Sequence, residues 1–411
     1  MVFIIYQQIV HIIFLGEFQH LRIIGKHTLH CAVIIIQTIC NHRSENDNQI
    51  NVVYDCGSLS GNSLLHKQID DCFDPGEKIH AVFLSHFDED HVNGLEYLLR
   101  HTQVEHIFFP LLTNEDKALI FLQHLVNSAS ADEQAFWLRF ALEPLETIKQ
   151  MGLNYAPTLH PVRTEDENED SVEFRGNILE RYYRQVRVRM VSSGENVFEI
   201  VCGSEEGIQS IHKLDWLYIP FHFREKVKRN ILKENLKERL GTCNPEELLD
   251  CLKNNPLYRA DIKEAYSKIP GGFNTNSMTL FSGTKSEHFA QFLIHHKCPC
   301  KGHCFPIKPG ALYMGDYDTS GSQKWQQLQR AYEEYIPYIG CLQVPHHGSK
   351  HNFNFKLLDM LSCQVYVISA GLNNKYDHPD GDVVKQIVLS GKYFGIVTEQ
   401  PWSEITMDVI L

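Results

Sequence analysis

Between Ala81 and Leu99 the chain reads AVFLSHFDEDHVNGLEYLL, and four side chains of metal-binding type, His86, Asp88, Asp90 and His91, fall within six residues. The apolar run from Ala81 to Leu84 predicts a strand, and the periodic apolar residues after the cluster predict an amphipathic helix. Side chains on a turn between two such elements can point into one pocket. Two carboxylates and two imidazoles gathered there call for divalent cations to neutralise and coordinate them. The plain alternative is a polar turn that caps the helix through Asp90, but a cap needs neither the second carboxylate nor the imidazoles.

Three further places carry the same kind of residue. Ala311 to Asp318, ALYMGDYD, is an apolar strand that runs into Gly315-Asp316, and Leu342-Gln343-Val344-Pro345 runs into His346-His347-Gly348-Ser349-Lys350. The stretch NNKYDHPD places His378 before a proline, between an apolar strand at 365–370 and a helix at 383–389. A separate cluster, HHKCPCKGHC from His295 to Cys304, offers Cys298, Cys300, His303 and Cys304 as ligands of a structural zinc. Cys298-x-Cys300 is too tight for a standard knuckle, so a zinc hairpin and a chance group of thiols stand equal.

The order His-x-Asp-x-Asp-His followed by Gly94 resembles the metal motif of the metallo-β-lactamase superfamily, whose usual form is His-x-His-x-Asp-His. Asp88 stands where the second histidine is usual. That departure, the lead-in Asn274-Thr275-Asn276-Ser277 and His346-His347-Gly348-Ser349 resemble the branch that holds the hydrolase domain of the bacterial competence DNA-uptake channel. With the first motif, the resemblance spans about residues 20–110 and 272–411.

The resemblance implies two divalent ions, zinc or manganese. His86 and Asp88 would hold one, Asp90 and His91 with either His346 or His347 the other, and Asp316 would bridge them. Asp55, in Asp55-Cys56-Gly57, would brace the metal loop from beneath; locally it reads equally as an ordinary turn. A hydroxide between the ions would be the nucleophile, with Asp90 orienting it. Ser349 and Lys350 would hold a phosphate oxygen, and His378 would contact the scissile phosphate or protonate the leaving group. The implied reaction is hydrolysis of a phosphodiester in a nucleotide or nucleic acid. Hydrolysis of an amide, lactone or thioester, and a non-catalytic metal-binding sensor, are the competing readings. The superfamily commonly adds a histidine before the bridging aspartate, and His106, His124, His160, His212 and His222 all stand open for it.

The elements that must position these residues alternate between strand and helix, which gives an α/β layered class. The resemblance sharpens this to a four-layer αββα sandwich. Residues 1–110 are expected to form its first half, 111–271 a mostly helical insertion or lid, and 272–411 its second half. Within the middle, Glu165 to Asp170 reads as a solvated acidic loop and RYYRQVRVR, from Arg181 to Arg189, as a strand with one cationic face.

Composition narrows the partners. Across 411 residues the net charge is -13, which argues against a broad surface that tracks long nucleic acid through its phosphates. Twelve cysteines without a small-domain disulfide spacing suit a reducing cytoplasm. The apolar start MVFIIYQQIVHIIFLGEF lacks a positive n-region and is broken by Gln7, Gln8 and His11, so it reads as an edge or leader strand. No later run approaches the roughly 18 apolar residues of a spanning helix, and no membrane partner is expected.

Overall fold

The computed structural model describes residues 18–19, 35–40, 49–58, 62–127, 135–164, 187–189, 191–202, 214–223, 226–244, 247–248, 255, 258–268, 277–285, 291–296, 303–304, 308, 310–360, 363–371, 377–398, 403 and 405–410. Strands are numbered in chain order. β1 (Phe18–Gln19) lies apart from the first large sheet, which comprises β2 (Ile35–Cys40), β3 (Gln49–Tyr54), β4 (Lys78–Phe83), β5 (Gln103–Pro110), β6 (Thr158–Arg163) and β7 (Arg187–Val188) side by side. β8 (Val191–Ser192) also pairs with β6. From β3 to β7 the neighbours are parallel, and β2 is antiparallel to β3.

The second large sheet begins with β9 (Phe198–Cys202), β10 (Leu214–Phe221) and β11 (Thr279–Gly283), which are antiparallel. Two strands of a third, smaller sheet follow, β12 (Gln291–His296) and β13 (His303–Cys304). β14 (Gly310–Tyr313) joins β11, and β15 (Ile339–Gln343), β16 (Val365–Ser369) and β17 (Tyr393–Val397) continue from it in parallel. β18 (Ile405–Ile410) returns to the smaller sheet and pairs with both β1 and β12.

Period-2 alternation decides how the sheets stack. Tyr54, Phe83, Phe108, Trp216, Tyr218, Leu280 and Tyr313 point inward and form one core between the two large sheets. On the outer face of the first sheet, Val53, Val82 and Ile107 pack against helices Asn62–Cys72, Leu95–His101 and Phe136–Leu142. On the outer face of the second, Leu312, Leu342 and Tyr366 pack against helices Ser322–Tyr332, Lys356–Met360 and Gly381–Leu389. The result is helix, sheet, sheet, helix: the expected four-layer αββα sandwich.

The segment 111–271 does more than the mostly helical insertion expected of it. Helices Asn114–Asn127, Lys226–Leu240 and Tyr258–Ser267 do share a separate small core of Leu119, Leu122, Leu232, Leu236 and Ile262. The same segment, however, supplies β6 to β8 to one large sheet and β9 and β10 to the other. In β10 both faces are buried, Trp216 and Tyr218 inward and Ile219 and Phe221 outward. Such a strand shows no alternation, so a short apolar run like it carries no period to read.

Cys298 and Cys300 lie outside the described residues, as do the residues around Asn274 to Asn276 and most of Arg181 to Arg189; His303 and Cys304 lie on β13. Among the described residues no helix is long and apolar enough to cross a membrane.

The two halves are joined at the seam by Tyr54, whose hydroxyl donates to the Met278 carbonyl at 2.7 Å and whose ring stacks on Tyr313 at 5.2 Å. Tyr54→Phe keeps the stack and orphans a buried carbonyl, so it should cost about 1–3 kcal/mol. Urea unfolding of both proteins measures it, and an unchanged midpoint would remove this bond from the seam.

Candidate metal centre

The residues expected around the ion pair lie just past the carboxyl ends of strands, in loops and, for Asp90 and His91, in the short helix Glu89–Val92. Asp55 follows β3, His86 to His91 follow β4, Asp316 follows β14, and His346 and His347 follow β15. Strand direction thus brings four loops, two from each sheet, to one edge of the sandwich.

The backbone there is bent beyond what ordinary residues adopt. The four non-glycine residues with positive φ among those described are Asp55 (58°), His346 (47°), His347 (58°) and Asp377 (53°). Each costs on the order of 1–3 kcal/mol unless the surroundings hold it. Gly57 allows its loop to lie against the metal loop, since a Cβ there would sit 2.5 Å from the Asp90 carbonyl. Gly348 (φ 81°) likewise admits Pro379, whose Cβ would lie 2.7 Å from a Cβ at 348. That contact brings His378 beside the paired histidines, its ring 6.0 Å from that of His346.

Hydrogen bonds then fix which nitrogen each imidazole presents. Asp55 is fully buried; its Oδ1 accepts the Ser85 N–H at 2.6 Å and its Oδ2 accepts the Ser85 hydroxyl at 2.7 Å. The same Oδ2 lies 2.9 Å from His91 Nδ1, and a carboxylate can only accept, so His91 Nδ1 carries a proton. The Ser369 carbonyl does the same for His347 Nδ1 at 2.9 Å. Ser85 has spent its hydroxyl proton on Asp55, so its oxygen accepts from His86 Nδ1 at 2.9 Å. Three histidines therefore turn Nε2 toward the same space, in the orientation that metal-ligating imidazoles take.

Asp316 lies at the centre of that space. Its Oδ2 is 3.9 Å from His86 Nε2 and 3.1 Å from His346 Nδ1; its Oδ1 is 3.8 Å from His91 Nε2 and 3.6 Å from His347 Nε2. Asp88 Oδ2 is 3.9 Å from His86 Nε2, and Asp90 Oδ2 is 3.9 Å from His91 Nε2. Two groups could each hold an ion: His86, His91 and Asp316, and Asp90, His91 and His347. His346, more exposed, stands beside Asp316 and outside both groups. His86 Nε2, His91 Nε2 and Asp316 Oδ1 are buried without a hydrogen-bond partner. Buried polar atoms seldom stay unpaired, and three that converge fit divalent cations.

The charges agree. Burial raises the carboxyls of Asp88 and Asp90, helped by the charge of Asp90 at Asp88 and of Asp316 at Asp90. Burial acts in the same direction on Asp316, but the imidazoles around it, His346 foremost, hold it well below the usual range. Burial lowers His86, and it lowers His347 to about 4. Burial also opposes charge on His91, yet Asp55 and then Asp90 outweigh it and lift the imidazole to about 10.

The remaining candidates sort as follows. Lys350 is half exposed, with its Nζ 3.2 Å from Asp380, while Ser349 is buried beneath it. His106 and His160 pair with each other at 3.0 Å, and His124 meets the edge of Trp137. His222 is buried, with its backbone N–H donating to Ser193. None of these four histidines joins either ligand group, and His212 lies outside the described residues. Two residues to which the sequence assigned no place in the site, Ser85 and Ser277, hold candidate ligands in position. Ser85 had a signal, its place directly before His86; Ser277 had only the asparagine-serine lead-in.

At neutral pH the cation-free chain holds a proton on His91 that a ligated ion must displace. Apparent zinc affinity should therefore rise between about pH 6 and 8, with proton release. Calorimetry in two buffers of different ionisation enthalpy reads the protons, and none released would contradict the assignment of His91. Asp55→Asn exchanges one acceptor oxygen for a donor and should weaken zinc by about 10- to 100-fold, measured by chelator competition.

Residues 45–173 match the family model described as metallo-beta-lactamase superfamily. No curated protein matches the chain at significance. Among solved structures, the chain is similar to MEM-A1, a subclass B3 metallo-beta-lactamase from a soil metagenome library, at 9% identity and TM-score 0.26, covering 84% of this chain and 83% of that one. It is similar to unliganded yeast PDE1 at 8% identity and TM-score 0.35, covering 97% and 100%. It is similar to MIM-1 from Novosphingobium pentaromativorans at 12% identity and TM-score 0.26, covering 80% and 76%. The family match concerns the superfamily alone and not the competence-channel branch. The matched stretch holds the loop His86 to His91, and its sheet faces a second one in four layers: the chain has the metallo-β-lactamase fold, and the superfamily's model matches its residues 45–173.

Proposed function

We propose that the chain is a dinuclear metal-dependent hydrolase of phosphodiesters, acting on a nucleotide or a nucleic-acid end. The observation that carries the reading is Asp316, one buried carboxylate whose two oxygens face different sets of imidazoles. His86 and Asp88 would hold one ion, Asp90, His91 and His347 the other, with Asp316 shared. Bound divalent ions supply acidified water, its pKa lowered from about 15.7 toward roughly 7, and Lewis-acid neutralisation of phosphoryl oxygens.

The chain's own groups supply the rest. Asp90, with its side chain 18% exposed, faces the opening and can accept a proton from the attacking water. Burial and the neighbouring His346 lower His378, which leaves it neutral near pH 7 with an N–H to offer the leaving oxygen. Lys350 stands at the rim, where its ammonium can turn from Asp380 toward a non-bridging oxygen. Cations held among these carboxylates would supply the positive charge that draws in an anionic substrate, so binding and catalysis should both be metal-dependent.

Metal content of wild type and Asp316→Ala, with hydrolysis of bis-p-nitrophenyl phosphate in added zinc or manganese, tests the proposal. The expected result is about two ions and turnover in wild type, and loss of both in the variant. Turnover of a chromogenic lactam in place of the diester would move the protein to the amide class. A wild type that binds no pair and is inert in both metals would leave a binding module. Cleavage of plasmid DNA with no action on dinucleotides would overturn the small-substrate part.

A further inference from the structure

We propose that Ser277 is a positioning residue that couples the two cation sites through one hydroxyl. The inference rests on the two-ion reading above. Ser277 is fully buried just before β11, and its Oγ accepts the Asp316 backbone N–H at 2.9 Å. The same oxygen lies 3.1 Å from Nδ1 of His86. One atom therefore touches the ring of a first-half ligand and the backbone of the second-half carboxylate shared by both ions.

The serine is fixed from both halves. The next residue, Met278, donates its N–H to the Ser85 carbonyl at 2.7 Å, and its own carbonyl receives the Tyr54 hydroxyl. Ser85 in turn is bound to Asp55, which orients His91. Because Ser85 donates to Asp55, the His86 Nδ1 proton points at two oxygens, Ser85 Oγ and Ser277 Oγ. Ser85, its own proton spent on Asp55, sets the tautomer with a bare Nε2, and Ser277 Oγ lies in reach of the same N–H. A rotation of the His86 ring must move Ser277, and with it the amide that holds Asp316. Losing the hydroxyl should weaken both ions together, because Asp316 serves both.

A packing role predicts something else. Alanine would then cost stability and leave cation affinity unchanged, and a hydroxyl restored on a bulkier residue would not help. The test compares wild type, Ser277→Ala and Ser277→Thr by zinc stoichiometry and chelator competition, with imidazole nitrogen NMR on the metal-free proteins. Wild type should bind two ions and show His86 protonated on Nδ1. Ser277→Ala should bind both ions about 10- to 100-fold more weakly, and Ser277→Thr should stay within about threefold of wild type. Wild-type affinity in the alanine variant, equal loss in both variants, or loss of a single ion in alanine overturns the coupling. The wild-type spectrum decides even where a variant does not fold, since His86 protonated on Nε2 contradicts the assignment. Wild type with no bound zinc would instead end the two-ion reading on which the inference stands.

Discussion

A carboxylate buried at the seam between two sheets cannot stay ionised without compensating charge, and Asp316 is held ionised by imidazoles from both halves of the molecule. His86 and His91 reach it from the first sheet, His346 and His347 from the second. The sandwich must close before that cluster exists. Closure in turn depends on ordinary burial: the inward aromatic residues of both sheets form one core, and Tyr54 adds a hydrogen bond across it beside the site.

Around this centre the chain accepts local cost for position. Three of its four left-handed non-glycine residues, Asp55, His346 and His347, are themselves site residues, and the fourth precedes His378. Left-handed backbone at two successive histidines turns their rings different ways. Nε2 of His347 faces Asp316 with its Nδ1 on the Ser369 carbonyl, while His346 offers Nδ1 and stays nearer the opening. Strain of this kind persists only where packing over-determines the backbone, and Gly57 and Gly348 mark where neighbouring loops press close enough to do so.

Much of the candidate site was legible in the chain because its candidate ligands sit in short motifs directly after apolar strands. His86 to His91, Asp316 and His346-His347 each follow such a run, so strand direction alone predicts that they gather at one edge. Other features left no local trace. β10 is buried on both faces and shows no period, and so 111–271 read as more helical than it is. Among the described residues the extra histidine of the usual superfamily pattern has no counterpart in either ligand group.

The sequence by itself determined which residue types could bind cations, the strand after which each lies, and the layered class, because these follow from contiguous patterns of polarity and periodicity. Only the tertiary structure decided which histidine of the pair faces Asp90 and His91, which nitrogen each ring presents, and that Ser85 and Ser277 hold the rings. Those choices depend on hydrogen bonds between residues far apart in the chain, such as Asp55 with His91 and Ser277 with both His86 and Asp316. No spacing encodes them, because the partners meet only once two sheets have packed face to face.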